Sequence, residues 1–120
     1  MKVVVTAQGN SLDSPVDPRF GRCQYLIYID TDTDSWKAVA NPALGEMGGA
    51  GIAVSQFVAD EKVDALITGN IGPNAARGLA AHGIKVYVGA KGRVEEALAS
   101  MEAGELTQAS GPTVQRRSGI

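Results

Sequence analysis

Hydrophobic positions in the first third of this chain come in short runs; beyond it they fall at helical spacing between further runs. The unbroken stretch Val3 to Ala7 predicts a strand covered on both faces. Residues 8 to 19 hold Gly9, Asn10, Ser11, Ser14, Pro15 and Pro18, which is loop chemistry. Tyr25 to Ile29 predicts a second strand. After the polar turn Asp30 to Ser35, the alternation of Trp36 to Ala40 predicts a third, more peripheral strand, paired with the second as an antiparallel hairpin. A glycine-rich loop, Gly45 to Gly51, then opens a helix over Ile52 to Glu61, whose Val54, Phe57 and Val58 share one face. Ala65 to Thr68 predicts a short buried strand. Pro73 suits the first position of the next helix and Gly83 its end. Lys85 to Val88 reads as another buried strand. Val94, Ala97, Leu98 and Met101 mark a last helix, closed by Gly104.

The order β-β-β-α-β-α-β-α predicts an α/β protein, a three-layer α/β/α sandwich around a mixed five-stranded sheet. Its later strands are expected to be parallel, with right-handed crossovers. Residues 1 to 103 read as one domain. Residues 104 to 120, polar and containing Gly111-Pro112, read as a flexible tail. In such sheets ligands collect beyond the carboxyl ends of the strands. The loops leaving the first, fourth and fifth strands are expected there, and the Gly48 to Gly51 loop delivers a helix N-terminus to the same edge.

Composition then removes several classes of function. The chain has 120 residues, 44% apolar, with a formal net charge of −2, so it carries no overall pull towards nucleic acid or an anionic membrane. One cysteine excludes an intrachain disulfide and suits a reducing, cytoplasmic setting. Met1 to Thr6 lacks the long apolar region of a signal peptide, and no stretch approaches a membrane span. The expectation is a monomer or weak dimer.

The candidate chemistry centres on Asp17-Pro18-Arg19-Phe20-Gly21-Arg22-Cys23. Two guanidinium groups on one short loop suit a multiply charged anion. Gly21 permits a sharp turn or close approach to whatever is bound. Helix starts near Gly51 and Pro73 add backbone dipoles, and Lys91 and Arg93 are expected to bring two more cations to the same edge. Each residue also has a plainer reading. Arg19 and Arg22 could bridge surface carboxylates such as Asp13 or Asp17. Cys23 could be a small buried hydrophobe. Met47 offers copper a thioether but could simply pack on the sheet. Lys91 and Arg93 could simply be solvated. His82, in a last helical turn, complements the helix dipole and is given no metal role.

Sharper motifs fail. Gly49-Ala50-Gly51 lacks the third glycine of a dinucleotide fingerprint, and no P-loop occurs. Asp30 to Ser35 imitates a calcium loop but lacks its turn glycine and bidentate glutamate. The first two strands offer no carboxylate cluster for two-metal nuclease chemistry. No nucleophile–base pair is evident.

Phe20-Gly21-Arg22, Gly49-Ala50-Gly51-Ile52 and Val63-Asp64-Ala65-Leu66-Ile67-Thr68-Gly69-Asn70-Ile71-Gly72-Pro73-Asn74-Ala75, followed by Leu79 and Gly83 to Tyr87, resemble the dinitrogenase iron–molybdenum cofactor biosynthesis family (NifX/NafY-like). The likeness covers residues 1 to about 103. Val16 to Cys23 and the compact length are most similar to its small molybdenum–copper "orange protein" branch. The resemblance implies a ribonuclease H-like fold and binding of a molybdenum–sulfur cluster, in that branch a mixed molybdenum–copper sulfide anion, for storage, delivery or assembly.

One point of arithmetic agrees. A protein-held iron–sulfur cluster normally takes about four thiolates, and this chain has one. Any cluster must bring its own sulfides and be gripped as an anion. Each well-buried charge-assisted contact is worth about 1.5–3 kcal/mol, so a few support micromolar binding. The expected binding set is Arg19, Phe20, Gly21, Arg22, Cys23, Gly49, Gly51, Asn70, Gly72 and Asn74, with Cys23 the one candidate metal ligand. The reading is a carrier, not an enzyme. The alternative from another class is a metal-free regulatory or assembly module that docks a MinD/Mrp-type ATPase. A small-anion or phosphate-binding enzyme is a third option, which the residues support least.

Overall fold

The computed structural model describes residues 1–45 and 49–109. The elements, in chain order, are β1 (Lys2–Ala7), β2 (Tyr25–Asp30), β3 (Ser35–Ala40), α1 (Ala50–Asp60), β4 (Ala65–Ile67), α2 (Pro73–Ala81), β5 (Lys85–Val88), α3 (Val94–Glu102) and β6 (Thr107–Ala109). They build one mixed sheet in the order β3-β2-β1-β4-β5-β6. β2 pairs antiparallel with both β1 and β3, and β1, β4 and β5 run parallel.

The sheet therefore has six strands, not five. The extra one, β6, comes from the stretch read as tail and adds antiparallel to β5, Tyr87 opposite Gln108. Three residues, two of them exposed, carry no hydrophobic alternation. Their place is decided by the free hydrogen-bonding edge of β5, which local sequence does not announce. Residues 110–120 of the expected tail lie outside the described residues, as do Met47 and Gly48.

Both faces of the sheet are covered, which explains why β1 reads as a run rather than an alternation. Val4, Leu26, Leu66 and Val86 face α1 and α2 through Val54, Val58, Ala76 and Leu79. Val3, Val5, Ile27 and Ile67 face the opposite way, against Val94 and Ala97 of α3. Leu26, Ile27, Leu66 and Ile67 are fully buried, each contributing about 1.5–3 kcal/mol by transfer from water. Among the described residues no helix is long and apolar enough to cross a membrane.

The three helices begin differently. Glu96 reaches back to the Arg93 amide at 2.8 Å, and Glu95 adds a second carboxylate in the first turn of α3. That end of the helix dipole is satisfied from within the chain. α1 and α2 have no side-chain cap and no acidic residue in the first turn. Their leading amides lack intrahelical acceptors, as in any helix, and both helices start above the carboxyl ends of the parallel strands.

Candidate functional site

Three segments far apart in sequence meet at that edge. The β1–β2 loop folds back along β1, where the Asp17 amide donates to the Thr6 carbonyl at 2.9 Å. Beneath it the Thr6 hydroxyl bonds the Asp17 carbonyl at 2.7 Å and the Thr68 hydroxyl at 2.8 Å, all three residues being fully buried. The Asn70 amide then donates to the Pro18 carbonyl at 2.8 Å and links this loop to the start of α2. The third segment is the first turn of α1. A Cβ on Gly21 would stand 2.7 Å from the Gly51 nitrogen and 2.9 Å from its Cα, so the backbones touch where no side chain fits. Gly49, at φ +73°, turns the chain into α1 through the left-handed region that glycine enters without strain.

These segments enclose a cavity of about 430 Å³. Arg19, Phe20, Gly21, Arg22, Gly49, Gly51, Asn70, Gly72 and Asn74 all line it. Its remaining wall is apolar, built from Ala50, Ile52, Ile71, Pro73 and Ala75. The starts of α1 and α2 both open onto it.

Three expectations meet a different arrangement. Cys23 is absent from the lining: it is fully buried in the core with Phe20, Leu26 and Val54. Burial, reinforced by the nearby Asp17, raises its pKa from 9.0 to about 12, so the thiol is neutral at physiological pH. The small-hydrophobe reading describes its surroundings. Lys91 and Arg93 also lie outside the lining. The β5–α3 loop is tied to the outer side of the β1–β2 loop, where the Gly92 carbonyl accepts from Val16 and Arg93 bridges Pro15. Two arginines therefore meet at the cavity rather than four cations. Asp17 is no surface carboxylate either, being fully buried beside a half-exposed Arg19.

Arg19 is held by that carboxylate through three donors. Its amide and Nε reach Asp17 Oδ1 at 3.1 and 3.2 Å, and its Nη2 reaches Oδ2 at 3.3 Å. Arg22 is exposed and forms no ion pair among the described residues. The pair thus divides into one fixed, compensated guanidinium and one free charge.

Asn41 is a positioning residue that motif reading missed. It is almost fully buried, and its Nδ2 donates to the carbonyls of Gly21 at 3.1 Å and Cys23 at 2.8 Å. Its Oδ1 accepts from the Ala43 amide at 2.8 Å. It pins the arm that carries Phe20 and Arg22 to the end of β3. The signal was present as an Asn-Pro pair after a strand, where an Asx turn is favoured. His82 closes α2 with Nδ1 2.9 Å from the Gly78 carbonyl, away from the cavity lining. Among the described residues no group of three or more His, Cys, Asp or Glu is placed to hold a metal ion.

The burial of Cys23 has a measurable result. Alkylation of the native protein near pH 8 is expected at least about a hundredfold slower than that of a free thiol, because the reactive thiolate is scarce. A rate matching a model thiol would contradict the placement. The linkage sign follows from the raised value. The unfolded thiol releases its proton from about 9 while the folded one keeps it to about 12, so its contribution to stability falls as pH climbs through that window.

Comparison with known proteins places this geometry. The orange protein from Desulfovibrio gigas, solved in its apo form, superposes with a TM-score of 0.89 at 37% identity, over 93% of this chain and 95% of that one. A putative NifB protein from Thermotoga superposes at 0.82 with 33% identity, over 98% of both chains. An uncharacterised protein of Methanocaldococcus jannaschii is 28% identical over 109 residues, 88% of this chain and 89% of its own length. The family described as "Dinitrogenase iron-molybdenum cofactor" matches residues 1–104. The chain is a member of that family.

Proposed function

We propose that this protein holds a molybdenum–sulfur cluster as an anion, for storage, carriage or assembly, and that a mixed molybdenum–copper sulfide is the form it takes. The observation that carries this reading is the convergence of two uncapped helix starts and Arg22 on one cavity whose lining contains no thiolate. Each helix start presents about half a positive charge. Such a lining suits a cargo that arrives with its own sulfide ligands.

Each part of the chain has a role in this grip. First-turn amides of α1 and α2 point N–H donors at the cluster's outer sulfides. Arg22 supplies mobile charge, and Arg19 supplies a fixed donor face. Phe20, Ile52 and Pro73 exclude water from the apolar flanks, which strengthens every electrostatic contact inside. Cys23 stays behind this surface as core. The ribonuclease H-like α/β/α layering acts as scaffold, and the chain's chemistry is binding and release. Family membership and the likeness to the orange protein support cofactor biosynthesis or metal-cluster binding as the broader role.

Anaerobic native mass spectrometry with thiomolybdate, with and without copper, tests the proposal. The expected result is a discrete adduct of one cluster per 12.4 kDa chain, with a mass that reports its metal content. A bare chain under every loading condition would overturn the reading and favour a metal-free docking module.

A further inference from the structure

The detailed chemistry of this cavity carries a conclusion about which anions it accepts. We infer that the site selects large, weakly hydrated thioanions over oxyanions of the same shape and charge, and that Asp17 sets the preference. The inference rests on the cluster-binding proposal and narrows it.

Arginine grips a phosphate, sulfate or molybdate best through two parallel N–H donors. On Arg19 the side edge, Nε with Nη2, is already spanned by Asp17 at 3.2 and 3.3 Å. The carboxylate is fully buried and holds the fork from the protein side, while the rest of the guanidinium is exposed. It also cancels Arg19's charge near the cavity and leaves Arg22 as the one uncompensated cation of the lining among the described residues.

The rest of the lining points the same way. Oxyanion sites at helix starts commonly add hydroxyl donors, and no serine or threonine lines this cavity. Pro73, at the first position of α2, removes one amide donor as well. Phe20 and Ile52 contribute hydrocarbon to the lining, which offers an oxyanion no donor. Desolvating an anion costs most when its charge is compact and its acceptors are strong. Sulfur is a weak, polarisable acceptor that tolerates apolar contact. A tetrahedral thiometallate therefore loses less on entry than its oxo counterpart.

Tetrathiomolybdate and molybdate share metal, geometry and charge, so their affinity ratio isolates this effect. Titration of each into ¹⁵N-labelled protein, read at the Gly21, Gly49 and Gly51 amides, is expected to show tetrathiomolybdate binding about tenfold or more tightly. Asp17→Asn keeps Oδ1 as acceptor for the Arg19 amide and Nε but removes the compensating charge and the acceptor of Nη2. It is expected to raise molybdate affinity and shrink the ratio roughly threefold or more. A loosened loop alone would lower both affinities together, so an unchanged ratio in the variant would overturn the role of Asp17. If that variant does not fold, the wild-type ratio still decides the selectivity. Molybdate binding as tightly as tetrathiomolybdate overturns the inference and leaves the anion site standing. Failure of both anions to bind removes the cluster proposal, and the inference with it.

Discussion

Replacement of Arg22 by alanine is expected to weaken binding of a thiomolybdate-derived cluster by tenfold or more while leaving thermal stability unchanged. Arg22 lines the cavity, is exposed, and makes no ion pair among the described residues. Its guanidinium therefore holds none of the described residues in place, and its removal opens no core. A hydrogen bond to a charged group is worth about 1.5–3 kcal/mol, or about ten- to hundredfold in affinity. Higher salt should narrow the difference between wild type and variant, because a solvent-facing charge is screened. Titration by visible absorbance under anaerobic conditions, with the melting curve taken in parallel, reads both quantities. Equal affinities would remove the central electrostatic claim.

Gly21→Val is expected to damage fold and site together. A Cβ there stands 2.7 Å from the Gly51 nitrogen and 3.1 Å from the Ala50 carbonyl carbon, both backbone atoms at the start of α1. Neither can rotate aside as a side-chain tip would. The loop and helix must separate, at a cost of about 3 kcal/mol, the upper end of ordinary overpacking. Separation also pulls the first-turn amides of α1 away from those of α2, so cluster binding should vanish even in the folded fraction. Urea denaturation gives the first effect and native mass spectrometry the second. A variant as stable as wild type would mean that the seam is looser than the described geometry.

The strands and helices were legible because their signals are local. Val3 to Ala7 and Tyr25 to Ile29 are β-branched or aromatic runs whose burial on both faces needs nothing else to be recognised. The glycine-rich and arginine segments of the site were legible from loop chemistry and from which strand ends they follow. What stayed hidden depends on the third dimension. Lys91 and Arg93 leave the same edge of the sheet, but α3 packs on the face opposite α1 and α2, and no residue near them encodes that choice. Asp17 resembles any loop carboxylate until the loop lies on β1 and Arg19 is found bound to it. Cys23 stands beside the site in sequence, yet the strand it leads into turns it inward. Asn41 acts across a gap of about twenty residues, which a motif cannot span. β6 exists because β5 needs a neighbour, not because Thr107-Gln108-Ala109 favours extension.

The construction of the site from Phe20, Gly51 and Asn70 ties cargo to folding. None of the three segments can form it alone, and they meet only when β1 and β4 are paired and α1 has docked. Whatever binds there binds the native state and not the unfolded chain, so occupancy adds directly to stability. Proteases that attack transiently opened chains would then clear empty protein ahead of loaded protein. Under the proposed function, the lifetime of the chain becomes a record of whether it carries its cluster.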